Sequence, residues 1–138
     1  MSPANPAYTE EELLHQLQDR EAKAIITIPE LLSIAIGAAK KAQIPPNRII
    51  LFKQASGGHK HYTELMSSTA LAPSTRGKIS PSDLAFLAYS SGTTGLAKGV
   101  MLTHGNVVSN TLQGSAVEAK YLSWKEDKIP SFLPFYHI

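Results

Sequence analysis

The stretch LAFLAYSSGTTGLAKGVMLTHGN, Leu84 to Asn106, decides how this chain is read. Its first six residues, Leu84 to Tyr89, have the length and content of a buried strand. They run into Ser90-Ser91-Gly92-Thr93-Thr94-Gly95, a segment made only of hydroxyl side chains and glycines. Lys98-Gly99 follows, then Val100-Met101-Leu102, and Thr103 stands where a helix begins. Strand, small loop, lysine and helix together make a phosphate site. Glycines let the backbone approach an anion and aim its N–H groups at it. Serine and threonine hydroxyls add short donors, and lysine adds a compact positive charge. Ser/Thr/Gly runs also occur in plain loops. The lysine and second glycine directly after a buried strand favour the anion site.

Two familiar phosphate loops are excluded by spacing. A Walker A loop needs Gly, four residues, then Gly-Lys-Ser/Thr. Counted from Gly92, the second glycine position is Ala97, and the Ser/Thr position after Lys98 is Gly99. No G-x-G-x-x-G dinucleotide fingerprint occurs in the chain. YSSGTTGLAKGV instead resembles the phosphate-loop signature of the adenylate-forming enzymes, which include acyl- and aryl-CoA ligases, luciferases and peptide-synthetase adenylation domains. Tyr89, Ser90, Ser91, Gly92, Thr93, Thr94, Gly95, Lys98, Gly99 and Val100 match it. Ala97 stands where the family usually has proline, so a fixed φ is lost and the loop is less restrained, with no phosphate donor removed. Ser90, where many peptide-synthetase domains carry threonine, leans toward the 4-coumarate:CoA ligase and luciferase branch.

Three more segments carry the resemblance, in the family's order. Ser2 to Leu17 is similar to the family's early helix after an N-P-x-Y-T pattern. Met101 to Asn110 is similar to the helix after the phosphate loop, with Gly105 where Arg or Lys is usual. Leu133 to Ile138, LPFYHI, resembles the next core motif. The resemblance implies ATP-dependent activation of a carboxylic acid to an acyl-adenylate, then a CoA thioester. By that resemblance Ser90, Ser91, Gly92, Thr93, Thr94, Gly95 and Lys98 bind ATP, while Tyr136 and His137 border the acyl and adenylate pocket. The plain alternative for Tyr136 and His137 is packing at a strand end. Mg²⁺ is implied with the ATP and coenzyme A as acceptor, with no metal ligand identifiable. The partners are therefore a small carboxylic acid, ATP and CoA.

The chain has 138 residues, enough for one small domain, with 43% hydrophobic and 17% charged residues, which are globular values. A net charge of +2 is too mild to argue for nucleic acid. The lack of cysteine excludes disulfides, thiolate chemistry and Cys-ligated metals. No apolar run approaches the roughly 18 residues of a membrane span. Both ends read as cut, and the family's T-G-D segment and its small C-terminal domain with a lysine have no counterpart. The expectation is one partial AMP-binding domain over residues 1–138, inactive alone, from an intracellular enzyme of the cytoplasm or peroxisome. Two alternatives stay open: an adenylation domain of a peptide synthetase or reductase, and a non-catalytic nucleotide-binding remnant.

Along the chain, Thr9 and Glu12 form a capping box for a helix that carries Leu13, Leu14 and Leu17 and ends near Arg20. Ala24 to Ile28 reads as a strand, and Pro29-Glu30 opens a helix with Leu31, Leu32, Ala35, Ala38, Ala39 and Ala42 on its apolar face. Ile44-Pro45-Pro46-Asn47 stops that helix before a strand at Arg48 to Phe52. The alternation, continued by Leu84, predicts an α/β fold with a parallel sheet flanked by helices. Lys53 to Ser82 reads as a long connection, with a turn of helix at Tyr62 to Met66. His59 and His61 in it read as an exposed loop rather than a metal pair. Thr103 with Asn106 is expected to cap a helix ending near Lys120, and Ile129 to Phe135 to start a further strand.

Overall fold

Thr9 begins the first helix as its pattern predicts. Its Oγ1 accepts the Glu12 N–H at 3.3 Å, and Glu12 Oε2 accepts the Thr9 N–H at 2.8 Å. The Thr9 N–H and, at 2.9 Å, the Thr9 hydroxyl both donate to that carboxyl and hold it below the usual carboxylate range. The structure, a computed structural model, describes residues 1–54, 57–66, 77–90, 97–123 and 125–128. It divides into two units, residues 4–74, and residues 75–138 with 1–3.

In residues 4–74, α1 (Glu10–Asp19) leads to β1 (Ile25–Thr27), a 3₁₀ turn at Pro29–Leu31, α2 (Leu32–Lys41) and β2 (Ile49–Leu51). β1 and β2 are parallel, with Ile25 opposite Ile49, so α2 is the crossover of a βαβ unit. This is the predicted parallel sheet with helices. Leu17, Ala38, Ala39, Ile44 and Ile49 form its core, with Leu13, Leu14 and Leu32 packed around them. The alanines of α2 let it lie close to α1, and Lys41 pairs with Glu10 at 2.9 Å across the two helices.

β3 (Lys60–His61) also joins this sheet, parallel to β2, with Leu51 opposite His61. His59-Lys60-His61 is thus not simply an exposed loop, and both histidines are half-buried. Gly57 and Gly58, at φ 60° and 73°, lie just before it in backbone that favours glycine. His59 Nδ1 lies 3.2 Å from the Pro46 carbonyl and His61 Nδ1 2.7 Å from Thr63 Oγ1. The expected turn of helix follows at Tyr62–Leu65, and Tyr62 stacks on Phe52 at 4.6 Å.

Both helices end in Schellman turns on residues other than glycine. Glu21 has φ 47° and Gln43 φ 58°. The Ile44 N–H reaches the Ala39 carbonyl at 2.8 Å, and the Ala22 N–H the Leu17 carbonyl at 2.9 Å. A left-handed L-residue costs about 1–2 kcal/mol, while glycine there gives back about 0.4–1 kcal/mol through the unfolded chain. Gln43→Gly is therefore expected to stabilise the protein by about 0.5–1 kcal/mol, read as a higher urea midpoint at unchanged slope. A lower midpoint would contradict it.

In the other unit, β4 (Leu84–Ser90) and β5 (Lys98–Thr103) form an antiparallel pair followed by α3 (His104–Glu118). The Leu84 strand is thus paired, among the described residues, in its own two-stranded sheet and not in the parallel one. Connection length accounts for the antiparallel pairing of β4 with β5. The seven residues 91–97 can join antiparallel strands, whereas a parallel crossover needs about a dozen or more. Met1 adds to the other edge of β4, its N-terminus 3.4 Å from the Ala85 carbonyl and its carbonyl accepting the Leu87 N–H at 3.1 Å. The proposed strand from Ile129 lies outside the described residues.

Candidate functional site

The hairpin gives the anion-site reading its geometry. β4 ends at Ser90 and β5 begins at Lys98, and these two residues face each other as register partners. The backbones of these two residues therefore bracket the connection that carries the remaining hydroxyls and glycines, and Lys98 is exposed to solvent. Ser91, Gly92, Thr93, Thr94 and Gly95 lie outside the described residues, as do Tyr136 and His137.

Val100-Met101-Leu102, between lysine and helix, are strand residues. Their three-residue apolar run was the signal for β5, too short to be read as a strand beside the capping residue Thr103. β5 separates Lys98 from the start of α3 at His104 by about 20 Å at 3.4 Å per residue. The first amides of α3 are also taken by the protein. The His104 N–H donates to the Asp83 carbonyl at 3.0 Å and the Gly105 N–H to the Pro81 carbonyl at 2.8 Å. The Asn106 N–H donates to Thr103 Oγ1 at 3.1 Å, inside a capping box. The macrodipole acts within the first turn. Its N–H groups are spent on the hairpin base, so a loop-bound anion would have to be held by the loop itself and Lys98.

Gly105 has a packing role at this junction. A Cβ built there would stand 3.0 Å from the Pro81 oxygen, so the glycine admits a close backbone approach. Among the described residues, no three His, Asp or Glu side chains gather as a metal site would require. No helix among them is long and apolar enough to cross a membrane.

Comparison with known proteins sets this hairpin in context. The profile of the AMP-binding enzyme family matches residues 1–138, the whole chain. The chain is 37% identical to 4-coumarate--CoA ligase 2 of Solanum tuberosum over 98% of its own length and 24% of that protein. It superposes on a long-chain-fatty-acid-CoA ligase of Archaeoglobus fulgidus with a TM-score of 0.77 and 33% identity, covering 99% of this chain and 26% of that one. ATP-bound MatB of Rhodopseudomonas palustris gives a TM-score of 0.63 at 32% identity, over 83% of this chain and 22% of that one. The chain thus spans about a quarter of the length of such relatives. With the profile matched end to end and the fold shared with ligases of this kind, the chain belongs to the AMP-binding enzyme family.

Proposed function

We propose that the protein containing this chain activates a carboxylic acid with ATP and transfers the acyl group to coenzyme A. The observation that carries the reading is the pairing of Ser90 with Lys98 at the mouth of the Ser/Thr/Gly connection, in a chain of this family. In the first step a carboxylate oxygen attacks the α-phosphorus of ATP. The bond to the bridging oxygen breaks, and pyrophosphate leaves with its electron pair. In the second step a thiol attacks the acyl carbon, loses its proton and expels AMP.

Negative charge grows on the departing pyrophosphate in the first step. The backbone amides around Gly92 and Gly95 and the hydroxyls of Ser90, Ser91, Thr93 and Thr94 would donate to the β- and γ-phosphates. Lys98 would balance their charge. Fixed donors aimed at developing charge are often the largest catalytic contribution. Mg²⁺ would arrive with the ATP and offset further phosphate charge. Tyr136 and His137 would border the acyl pocket.

The test is exchange of labelled pyrophosphate into ATP by the intact protein, with 4-coumarate and long-chain fatty acids as candidate acids. Exchange is expected only when a suitable acid is present, and added CoA should then release AMP. No acid raising exchange above background would remove the proposal. Exchange without discharge to CoA would favour a carrier-protein adenylation domain. The 138-residue chain alone, about a quarter of its relatives' length, is expected to show no sustained exchange.

A further inference from the structure

Where α1 and α2 end, a cavity of about 610 Å³ opens at the amino end of the parallel sheet, wholly within residues 4–74. That volume falls in the range of about 300–1,000 Å³ that small-molecule sites occupy. Leu17 and Ile44, both buried, give it an apolar floor. Its charges are Lys23, Lys41, Arg48 and Glu21. Lys41 is already paired with Glu10. Lys23 and Arg48, both exposed, make no ion pair among the described residues. Arg48 directly precedes β2, Lys23 stands two residues before β1, and Ile25 and Ile49 are register partners. Two cations without a counter-charge thus stand at the amino ends of neighbouring strands, whose backbones run about 4.8 Å apart.

Free carbonyls at two helix ends would repel an anion, but here they are occupied. The Leu17 and Gln18 carbonyls accept the Ala22 and Glu21 N–H groups, and those of Ala39 and Lys40 accept from Ile44 and Gln43. The cavity is also where the backbone is strained. Among the described residues, the two non-glycine residues in left-handed backbone, Glu21 and Gln43, both line it. Neither side chain makes a hydrogen bond among the described residues. A side chain that costs stability where glycine would not, and that bonds to nothing in the protein, is available to a ligand.

We propose that this cavity binds a small amphipathic anion, with a phosphate or carboxylate head between Lys23 and Arg48, its apolar body over Leu17 and Ile44, and the Gln43 amide as a further donor. An arginine fork meets either head group through two parallel hydrogen bonds, and lysine adds a point charge. The inference does not rest on the reading of the phosphate loop. The competing account is a solvated basic surface that only offsets the helix dipoles.

Calorimetric titration of the intact protein, without ATP, tests it with hexyl phosphate, hexanoate, hexanol and inorganic phosphate. One of the two amphipathic anions is expected to bind with a Kd of about 0.1–1 mM, because ion pairs in water contribute little. The tighter of the two identifies the head group. Hexanol and inorganic phosphate should each bind at least about tenfold more weakly, since each lacks one half of the interaction. Amide hydrogen exchange should slow at residues 17–23 and 42–48. Arg48→Ala should weaken binding about tenfold, and Glu21→Gln should tighten it by removing a like charge. Gln43→Gly guards against loss of folding as an explanation: it is expected to raise the urea midpoint yet weaken binding about two- to fivefold. Failure of both amphipathic anions to bind would overturn the inference. So would equal affinity for hexanol or inorganic phosphate, affinities unmoved by Arg48→Ala and Glu21→Gln, or exchange slowed only elsewhere in the protein.

Discussion

Lys98→Ala in the intact protein is expected to lower kcat/KM for ATP by about 10²–10³-fold, the cost of removing one preorganised charged donor from a developing anion. Ground-state binding accounts for part of this. A hydrogen bond to a charged group contributes about 1.5–3 kcal/mol, or roughly 10- to 150-fold in affinity. The rest should appear in kcat, because the transition state carries more charge on the leaving pyrophosphate than bound ATP does. The KM for the acid should change little. Lys98→Arg is not expected to restore full activity, since a planar fork replaces a compact point charge at the first position of β5. Pyrophosphate exchange against ATP concentration, at saturating acid, measures both effects. Wild-type kinetics in Lys98→Ala would remove this lysine from the mechanism. Equal losses for ATP and acid would point instead to damage of the hairpin.

How much of this could be read beforehand depended on whether the deciding signal was local. Thr9 with Glu12 and Thr103 with Asn106 are short-range capping boxes, and both helices begin where those residues place them. The apolar face of α2 is alanine-rich at helical spacing, and Ala35, Ala38 and Ala39 are buried. The loop's hydroxyls, glycines and lysine were legible as residue types, but the hairpin that joins its two ends was not. Val100 to Leu102 form too short a run to announce a strand, and the pairing that makes them one is with Ala88, Leu87 and Phe86, more than ten residues earlier. β3 was invisible for a similar reason. Two residues, Lys60 and His61, have no alternation, and only their pairing with Ile50 and Leu51 makes them a strand. Gln43 and Glu21 hid the left-handed helix ends, which glycine would have marked. Nothing in Ser80-Pro81-Ser82-Asp83 announced the two backbone carbonyls, of Pro81 and Asp83, that it offers to α3.

The second large effect concerns the parallel sheet. Leu51 is fully buried (0% exposed), as the last residue of β2, between Thr27 of β1 and His61 of β3. Leu51→Ala removes buried methyl groups and leaves a cavity that the flanking strands resist closing, because their backbones are tied into the ladder. Substitutions of this kind cost about 2–5 kcal/mol, against a total stability of about 5–15 kcal/mol for a typical domain. The comparison with Ile26→Ala separates burial from strand propensity. Ile26 lies in the adjacent strand β1, opposite Ile50, but is 58% exposed. Its loss removes less apolar area from the interior, so its cost should stay below about 1 kcal/mol. Urea unfolding of both variants gives the answer. The expected result is a large fall in midpoint for Leu51→Ala and a small one for Ile26→Ala, at unchanged slopes. Equal falls would mean that residue type along the strands, rather than burial at the centre of the sheet, governs the stability of residues 4–74.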